Sequence, residues 1–536
     1  MLTKSSKREV LLLPIRGSIR AHRKHRGSMT IGYAFLGMVV LHVVCIRTAL
    51  AQDEGLGNFR RIAEPAGLEK PGPPDWGPVP TGKLSLANVA PGLFPFFNNG
   101  PVFGLPGTVV GDFWQRTELT GDWGGARTDL ARHGVFVDLY STSTYQDVAS
   151  GGLKTGRAFV ENTQLSINLD TGRAGLWPGG LFHVTLQSRY GSAPQNTFIV
   201  GSYVPQYTGL VEPGPLLWQD TLPSEYFWVQ AINKRFSILL GKISDVFIPD
   251  QTLFGDSYKS YFANFNLNKN SMTTNFYNPT AWAALGALTP APWLVLGGGV
   301  LDPNSMANTF SKHAYDKVNL YLTAVAKYKL AGRPGQFSPA YNWSNKPKIN
   351  LKMPFGELSR EQIPQAVAGL LGGSTAGLPA NYRKDSWFLI ANASQYLFVF
   401  EDPASIEPKI KSGQPLSGIG VFGRLGYAPP NTNPVTRDFS LALVARGVAA
   451  SRNWDSFGVG FFYNAISNKL KSNIEQLTDG TRTVKDEKGI EIFYDFAISP
   501  AIRLIPGYQH IWNPLSAQVV NRPWADIFLL RLSLAL

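Results

Sequence analysis

In the octapeptide Phe182-His183-Val184-Thr185-Leu186-Gln187-Ser188-Arg189, apolar and polar side chains alternate from Phe182 through Gln187. Successive side chains of a β-strand point to opposite faces, so Phe182, Val184 and Leu186 share one face. His183, Thr185, Gln187 and Arg189 take the other. A strand that is apolar on one side and strongly polar on the other fits a position between lipid and water. Taken alone it is ambiguous, because any half-buried antiparallel sheet alternates in the same way.

Outward from this stretch the pattern recurs. Leu165, Ile167 and Leu169 oppose Ser166, Asn168 and Asp170. Val318, Leu320, Leu322, Ala324 and Ala326 oppose Asn319, Tyr321, Thr323 and Lys327. Phe439, Leu441, Leu443 and Ala445 alternate with Ser440 and Arg446, and Ile490, Ile492, Tyr494 and Phe496 oppose Glu491 and Asp495. Repetition from about Gly134 onward is hard to fit into a soluble sandwich, which needs several cores and more surface charge. Only 16% of the residues are charged, against about 25% in ordinary soluble domains. Tyr190, Trp293, Tyr328, Tyr427, Trp454, Tyr508, Trp512 and Trp524 fall near strand ends, as in the aromatic girdles of membrane barrels. In the last run, 527–536, Phe528, Leu530, Leu532, Leu534 and Leu536 share a face. A barrel closes by pairing its last strand with its first. The expected fold is all-β: a transmembrane antiparallel β-barrel.

The amino terminus reads as an export signal. Residues 1–51 hold nine Lys/Arg and one acid, Glu9, so +8 of the +13 net charge lies there. An apolar core, Ile31 to Ile46, precedes the small-x-small site Ala49-Leu50-Ala51. This predicts a signal peptide over 1–51, cleaved after Ala51. The apolar run is shorter than the roughly 20 residues of a spanning helix. The single cysteine, Cys45, lies within it, which leaves no disulfide or thiolate site in the exported chain. Residues 52–110 contain ten Pro and ten Gly, a composition that cannot hold a helix or central strand. The expected organisation is a signal peptide (1–51), an extended periplasmic segment (52–111) and a barrel (112–536).

Chemistry is sparse. Beyond the signal peptide the four histidines (133, 183, 313, 510) are scattered without metal-ligand spacing. Gly372-Gly373-Ser374-Thr375-Ala376 lacks the closing glycine of a nucleophile elbow. Neither Gly82-Lys83 nor Gly241-Lys242 is followed by Ser or Thr, so neither is a phosphate loop. No basic stripe interleaved with aromatics points to nucleic acid. The reading is therefore no enzyme, no cofactor and no metal.

The segment Leu119-Thr120-Gly121-Asp122-Trp123-Gly124-Gly125-Ala126-Arg127, continuing through Thr128 to Gly134-Val135, resembles the opening of the carbohydrate-selective porin family (OprB type). Leu240-Gly241-Lys242, the Phe/Asn-rich 262–278 and the stretch from Glu491 through Pro506-Gly507-Tyr508-Gln509 to Arg531 also look like it. The resemblance implies about 16 strands, a pore narrowed by inward loops, and passive uptake of mono- or small oligosaccharides across the bacterial outer membrane. It also implies a final aromatic residue read by the barrel assembly machinery, where this sequence has Leu536. The motif itself reads as a tight backbone path (Gly121, Gly124, Gly125), then a short helix capped by Thr128 and ended at Gly134. That helix is expected at the periplasmic mouth, with Trp123 packed on the inner wall.

Selectivity for a hydroxyl-rich solute needs lumenal hydrogen-bond partners and aromatic faces. The polar-face candidates are Glu161, His183, Gln187, Arg189, Lys327, Arg424, Arg446, Glu491 and Arg503. Inward arginines would grip hydroxyls and disfavour cations. Trp218, Trp228 and Trp293 are candidate platforms, and the Asn-rich loop (Asn264, Asn266, Asn268, Asn270, Asn275, Asn278) a candidate inward loop. Residues 359–371 predict a loop helix. Expected partners are sugars, outer-membrane lipid and the assembly machinery, and self-association stays open. The competing reading is a secreted β-rich carbohydrate-binding or adhesion protein without a pore. The two differ in whether the apolar strand faces point outward or into a second sheet.

Overall fold

The computed structural model describes residues 103, 107–191, 199–207, 220–244, 254, 259–276, 280–305, 315–371, 375–384, 386–411 and 415–536. The predicted signal peptide and almost all of 52–111 lie outside them, as do Trp218, Asn278 and His313.

The strands are β1 (Val135–Gly151), β2 (Gly156–Asp170), β3 (Gly180–Gly191), β4 (Asp220–Ala231), β5 (Phe236–Ser244), β6 (Thr280–Ala291), β7 (Leu294–Leu301), β8 (Asn319–Leu330) and β9 (Arg333–Ser344). They continue with β10 (Lys348–Ile349), β11 (Tyr382–Arg383), β12 (Ser386–Val399), β13 (Gly418–Tyr427), β14 (Val435–Arg446), β15 (Ser456–Ile466), β16 (Glu487–Ser499), β17 (Ile502–Trp512) and β18 (Trp524–Ala535). All but β10 and β11 join one closed ring of sixteen antiparallel strands. β9 pairs with β12, because β10 and β11 form a separate ribbon between them. β18 closes on β1 with Tyr145 opposite Leu530 and Ser143 opposite Leu532.

The apolar faces point outward. Phe182, Val184 and Leu186 are 41%, 38% and 38% exposed, while His183, Thr185 and Gln187 between them are buried. Leu296, Leu322, Leu389, Leu441, Ile492 and Phe528 repeat the pattern around the ring. Among the described residues no second sheet covers these faces. An exposed apolar band on a closed barrel belongs in a bilayer, which sets aside the secreted alternative.

One end carries short connections (231–236, 291–294, 330–333, 499–502) and the amino-terminal helix α1 (Ala126–Arg132); the other carries most of the long loops. Short turns mark the periplasmic end of such barrels. Gly134 ends α1 at φ +86, and a Cβ there would come 2.6 Å from the Asp170 carbonyl oxygen, so the position requires glycine. At the extracellular end the helix predicted over 359–371 occupies Ile363–Leu370, with the Ser359 amide donating to Gln362 Oε1 at 3.0 Å. Its Ala366 and Leu370 join Leu470 and Ile474 of the helix Asn468–Leu477 in one core.

Candidate functional site

Inside the barrel, residues 259–276 of the β5–β6 connection cross the inner wall formed by β13–β18. Ser533 and Arg531 donate to the carbonyls of Lys259 and Tyr261 at 2.6 and 2.5 Å. Both carboxylate oxygens of Glu491 accept backbone amides, from Ala263 and Asn264, each at 2.7 Å. Arg424 donates to the Leu267 and Asn268 carbonyls at 2.9 and 3.2 Å. Asp438 accepts from Asn270 and Ser271 at 3.0 and 2.8 Å. Hydrogen bonds to a charged group contribute about 1.5–3 kcal/mol net each, so this set fixes the loop strongly.

The asparagines of the loop serve as anchors. Asn264 caps the single turn Phe265–Asn268 through its carbonyl oxygen and donates to Gln509 at 3.0 Å. Asn266 accepts from Asn464 at 2.9 Å, and Asn275 donates to the Thr432 carbonyl at 3.0 Å. Room for the loop comes from the inner wall itself. A Cβ on Gly460 of β15 would lie 2.7 Å from Leu267 and 3.0 Å from the Phe262 ring. Phe262 in turn meets Phe493 edge-on at 4.8 Å.

The opposite wall, β2–β4, presents polar groups bonded to one another. His183 contacts Asn168 Oδ1 at 2.7 Å and Thr185 Oγ1 at 2.8 Å, and stacks on Phe227 with ring centroids 4.5 Å apart. Glu225 stands 3.9 Å from its Nε2. Gln187 donates to Asn162 at 2.6 Å, and Asn162 is in register with Arg189.

At the periplasmic mouth the glycine-rich motif latches the seam between β1 and β18. Arg127 donates to the carbonyls of Leu536 (3.3 Å) and Val137 (2.7 Å) and lies 3.1 Å from Glu118. The Leu119 amide donates to the Ala535 carbonyl at 2.9 Å, and the Leu536 amide to the Leu139 carbonyl at 2.7 Å. Burial pushes the Glu118 carboxyl up to about 8, outweighing the pull of Arg127. Thr128 does not cap α1. Its amide and hydroxyl both donate to Asp122, at 2.7 Å each, so Asp122 supplies the capping carboxylate. Trp123 is 41% exposed, with its indole on Thr120 and the Arg127 guanidinium 5.0 Å from its ring, and is not packed on the inner wall as expected.

The sequence profile of the carbohydrate-selective porins, OprB family, matches residues 155–523. The chain belongs to this OprB family of porins. The QuiX protein of Acinetobacter baylyi is 25% identical over 464 residues, covering 81% of this chain and 97% of its own length. Porin AaxA of Chlamydia pneumoniae is 22% identical over 322 residues, 60% of this chain and 58% of that protein. The OprB structure from Pseudomonas putida determined at high pH superposes with a TM-score of 0.64 at 16% identity, over 80% of this chain and all of that one. The protein is an outer-membrane porin, a channel in class.

Within this porin the nine predicted lumen residues separate. His183, Gln187 and Arg189 face inward on β3, and Lys327 faces inward toward the periplasmic end of β8. Arg424 and Glu491 hold the loop. Arg446 donates to the Phe103 carbonyl at 2.8 Å, and Arg503 to the Trp454 carbonyl at 2.7 Å. Glu161 does not line the lumen. Its register with Ser143 and Tyr190 places it on the outer face with Phe159 and Ile167. There it accepts from the hydroxyls of Ser141, Ser143 and Thr163. Trp228 shares the outer face with Phe182 and Leu240, and Trp293 stands in a periplasmic turn, 56% exposed; neither is a lumenal platform. Asp438, Asn464 and Gly460 are outside the predicted site, and Gln509 and Arg531 belong to it only through the family-like stretch that contains them. Their signal is that they fall opposite outward apolar residues in already alternating strands.

Proposed function

We propose that this porin passes small sugars by diffusion along the β2–β4 wall, between that wall and the inward loop. The observation that carries the reading is the inner surface of β2–β4: Asn162, Asn168, Gln187 and Glu225 beside the stacked His183–Phe227 pair. Alternating donors and acceptors next to a flat ring suit a solute with hydroxyl edges and C–H faces. Lumenal Arg189 and Lys327 add donors that discourage cations. Planar-bilayer recording tests the proposal. The expected result is a channel whose ionic current falls on adding glucose. No channel would overturn the reading, and a current indifferent to sugars would reduce it to a general pore.

A further inference from the structure

Phe103 precedes the latch motif and has no part in the channel reading, yet it is 1% exposed. Its carbonyl accepts from Arg446 Nη2 at 2.8 Å. Its ring stands edge-on to Tyr140, 6.1 Å between centroids at 74°, and the Arg503 guanidinium lies 5.5 Å from its centre. It also packs on Ala535. Tyr140, Arg446, Arg503 and Ala535 all carry the inward parity of β1, β14, β17 and β18, and the last three sit at the periplasmic ends of their strands. Four strands, β15 to β18, separate β14 from β1 around the ring. A residue touching both ends of that arc stands within the lumen. Its φ of 48 is rare for a bulky side chain, so its surroundings hold it there.

Arg503 beneath it is unusual. Its Nη1 donates to the Trp454 carbonyl and lies 3.5 Å from Asp495, but Nε and Nη2 have no hydrogen-bond partner although the side chain is fully buried. Leaving buried guanidinium donors unmet is costly. The aromatic ring offers them a π face and no acceptor oxygen. A sugar presents vicinal oxygen pairs at the spacing a guanidinium fork grips.

We propose that Phe103 is a displaceable plug at the periplasmic end of the pore, and that it covers a solute subsite made by Arg446 and Arg503. When Phe103 leaves, the free Nε and Nη2 of Arg503 and the released Nη2 of Arg446 take the oxygens of a passing sugar. The inference rests on the sugar-channel reading above and adds to it a second contact point and a gate.

The test is single-channel recording of the full chain and three variants, Phe103→Ala, Arg503→Gln and Phe103→Ala/Arg503→Gln, with glucose as probe. Heat-modifiable gel migration checks that each barrel is closed. Phe103→Ala is expected to raise conductance about twofold by clearing the lower lumen and to tighten the glucose block. Adding Arg503→Gln should keep the higher conductance and weaken the block about tenfold, the loss of one charge-assisted pair. Wild-type conductance in Phe103→Ala would overturn the plug. An undiminished block in the double variant would overturn the subsite. Absence of channels from every protein, wild type included, would instead sink the porin reading on which both stand.

Discussion

The two sides of the inner wall are built from the same residue types and used differently. On β13–β18 the inward Arg424, Glu491, Gln509 and Arg531 bind backbone of loop 259–276 or of an element beside it, and Asp438 adds the side chains of Asn270 and Ser271. On β2–β4 the inward groups bind each other's side chains, as in the Asn168–His183–Thr185 and Asn162–Gln187 contacts. Backbone partners fix a position, because the chain that carries them is covalently continuous. Side-chain partners can be exchanged for a solute's hydroxyls at little net cost. A polar lumen residue therefore does not disclose its role by type; its partner does.

Removing the anchor should blur the contrast most. Glu491→Ala leaves two buried amides without acceptors, about 1–3 kcal/mol each. The loop should detach from β16, with single-channel conductance rising severalfold and new protease cuts within 259–276. Unchanged conductance would mean that the loop does not narrow the path. Gly460→Val attacks the same docking sterically and leaves the hydrogen bonds in place. Its Cβ meets Leu267 at 2.7 Å, so a smaller conductance rise is expected, together with a lower temperature for loss of heat-modifiable migration.

On the other wall, His183→Ala should leave conductance near wild type and weaken glucose block about three- to tenfold, the loss of one or two neutral hydrogen bonds. A change in conductance as large as that of Glu491→Ala would erase the proposed division of labour. The smallest effect concerns the extracellular ribbon. Lys348 donates to the Asn275 carbonyl and lies 5.0 Å from the Phe276 ring centre, tying β10 to the loop. Burial, reinforced by Lys346, brings its ammonium down to about 7. Below pH 7 it is charged whether docked or free, and docking bears the full desolvation penalty. Between about 7 and the ordinary lysine value the docked form sheds its proton first, so docking strengthens as pH rises. Limited proteolysis of the ribbon should be faster at pH 6 than at pH 9, and Lys348→Met should abolish the difference.

Much of this was legible in the sequence, because lipid imposes a period of two on every strand. The octapeptide 182–189, the closing strand and the glycine at 134 behave as their local chemistry dictates. Glu161 shows how a sound pattern can be misread. Counting back by twos from Ile167 and Leu165 puts Glu161 on the apolar face, whereas its charge alone suggests water; the register decides. Three neighbouring hydroxyls make the outward carboxylate tolerable, and those hydroxyls come partly from β1, beyond local view. The asparagines of 264–275 fit an inward loop and a surface loop equally well by composition, and the structure places them inward. Their use as anchors depends on Gln509, Asn464 and Thr432, all far away in sequence. Thr128 does not cap the helix because the Asp122 carboxylate takes its amide and hydroxyl, and Trp123 turns from the wall to Thr120 and Arg127.

The latch at Arg127 bears on the order of events in assembly. It joins positions 409 residues apart, among the longest separations the chain can span, and loop-closure entropy makes such contacts late ones. Both of its carbonyl partners, on Val137 and Leu536, come together only once all sixteen strands stand in sequence. The guanidinium thus reports that the ring has shut and then keeps it shut, with no part in bringing the strands together. An Arg127 variant should accordingly assemble at the normal rate and open sooner once assembled.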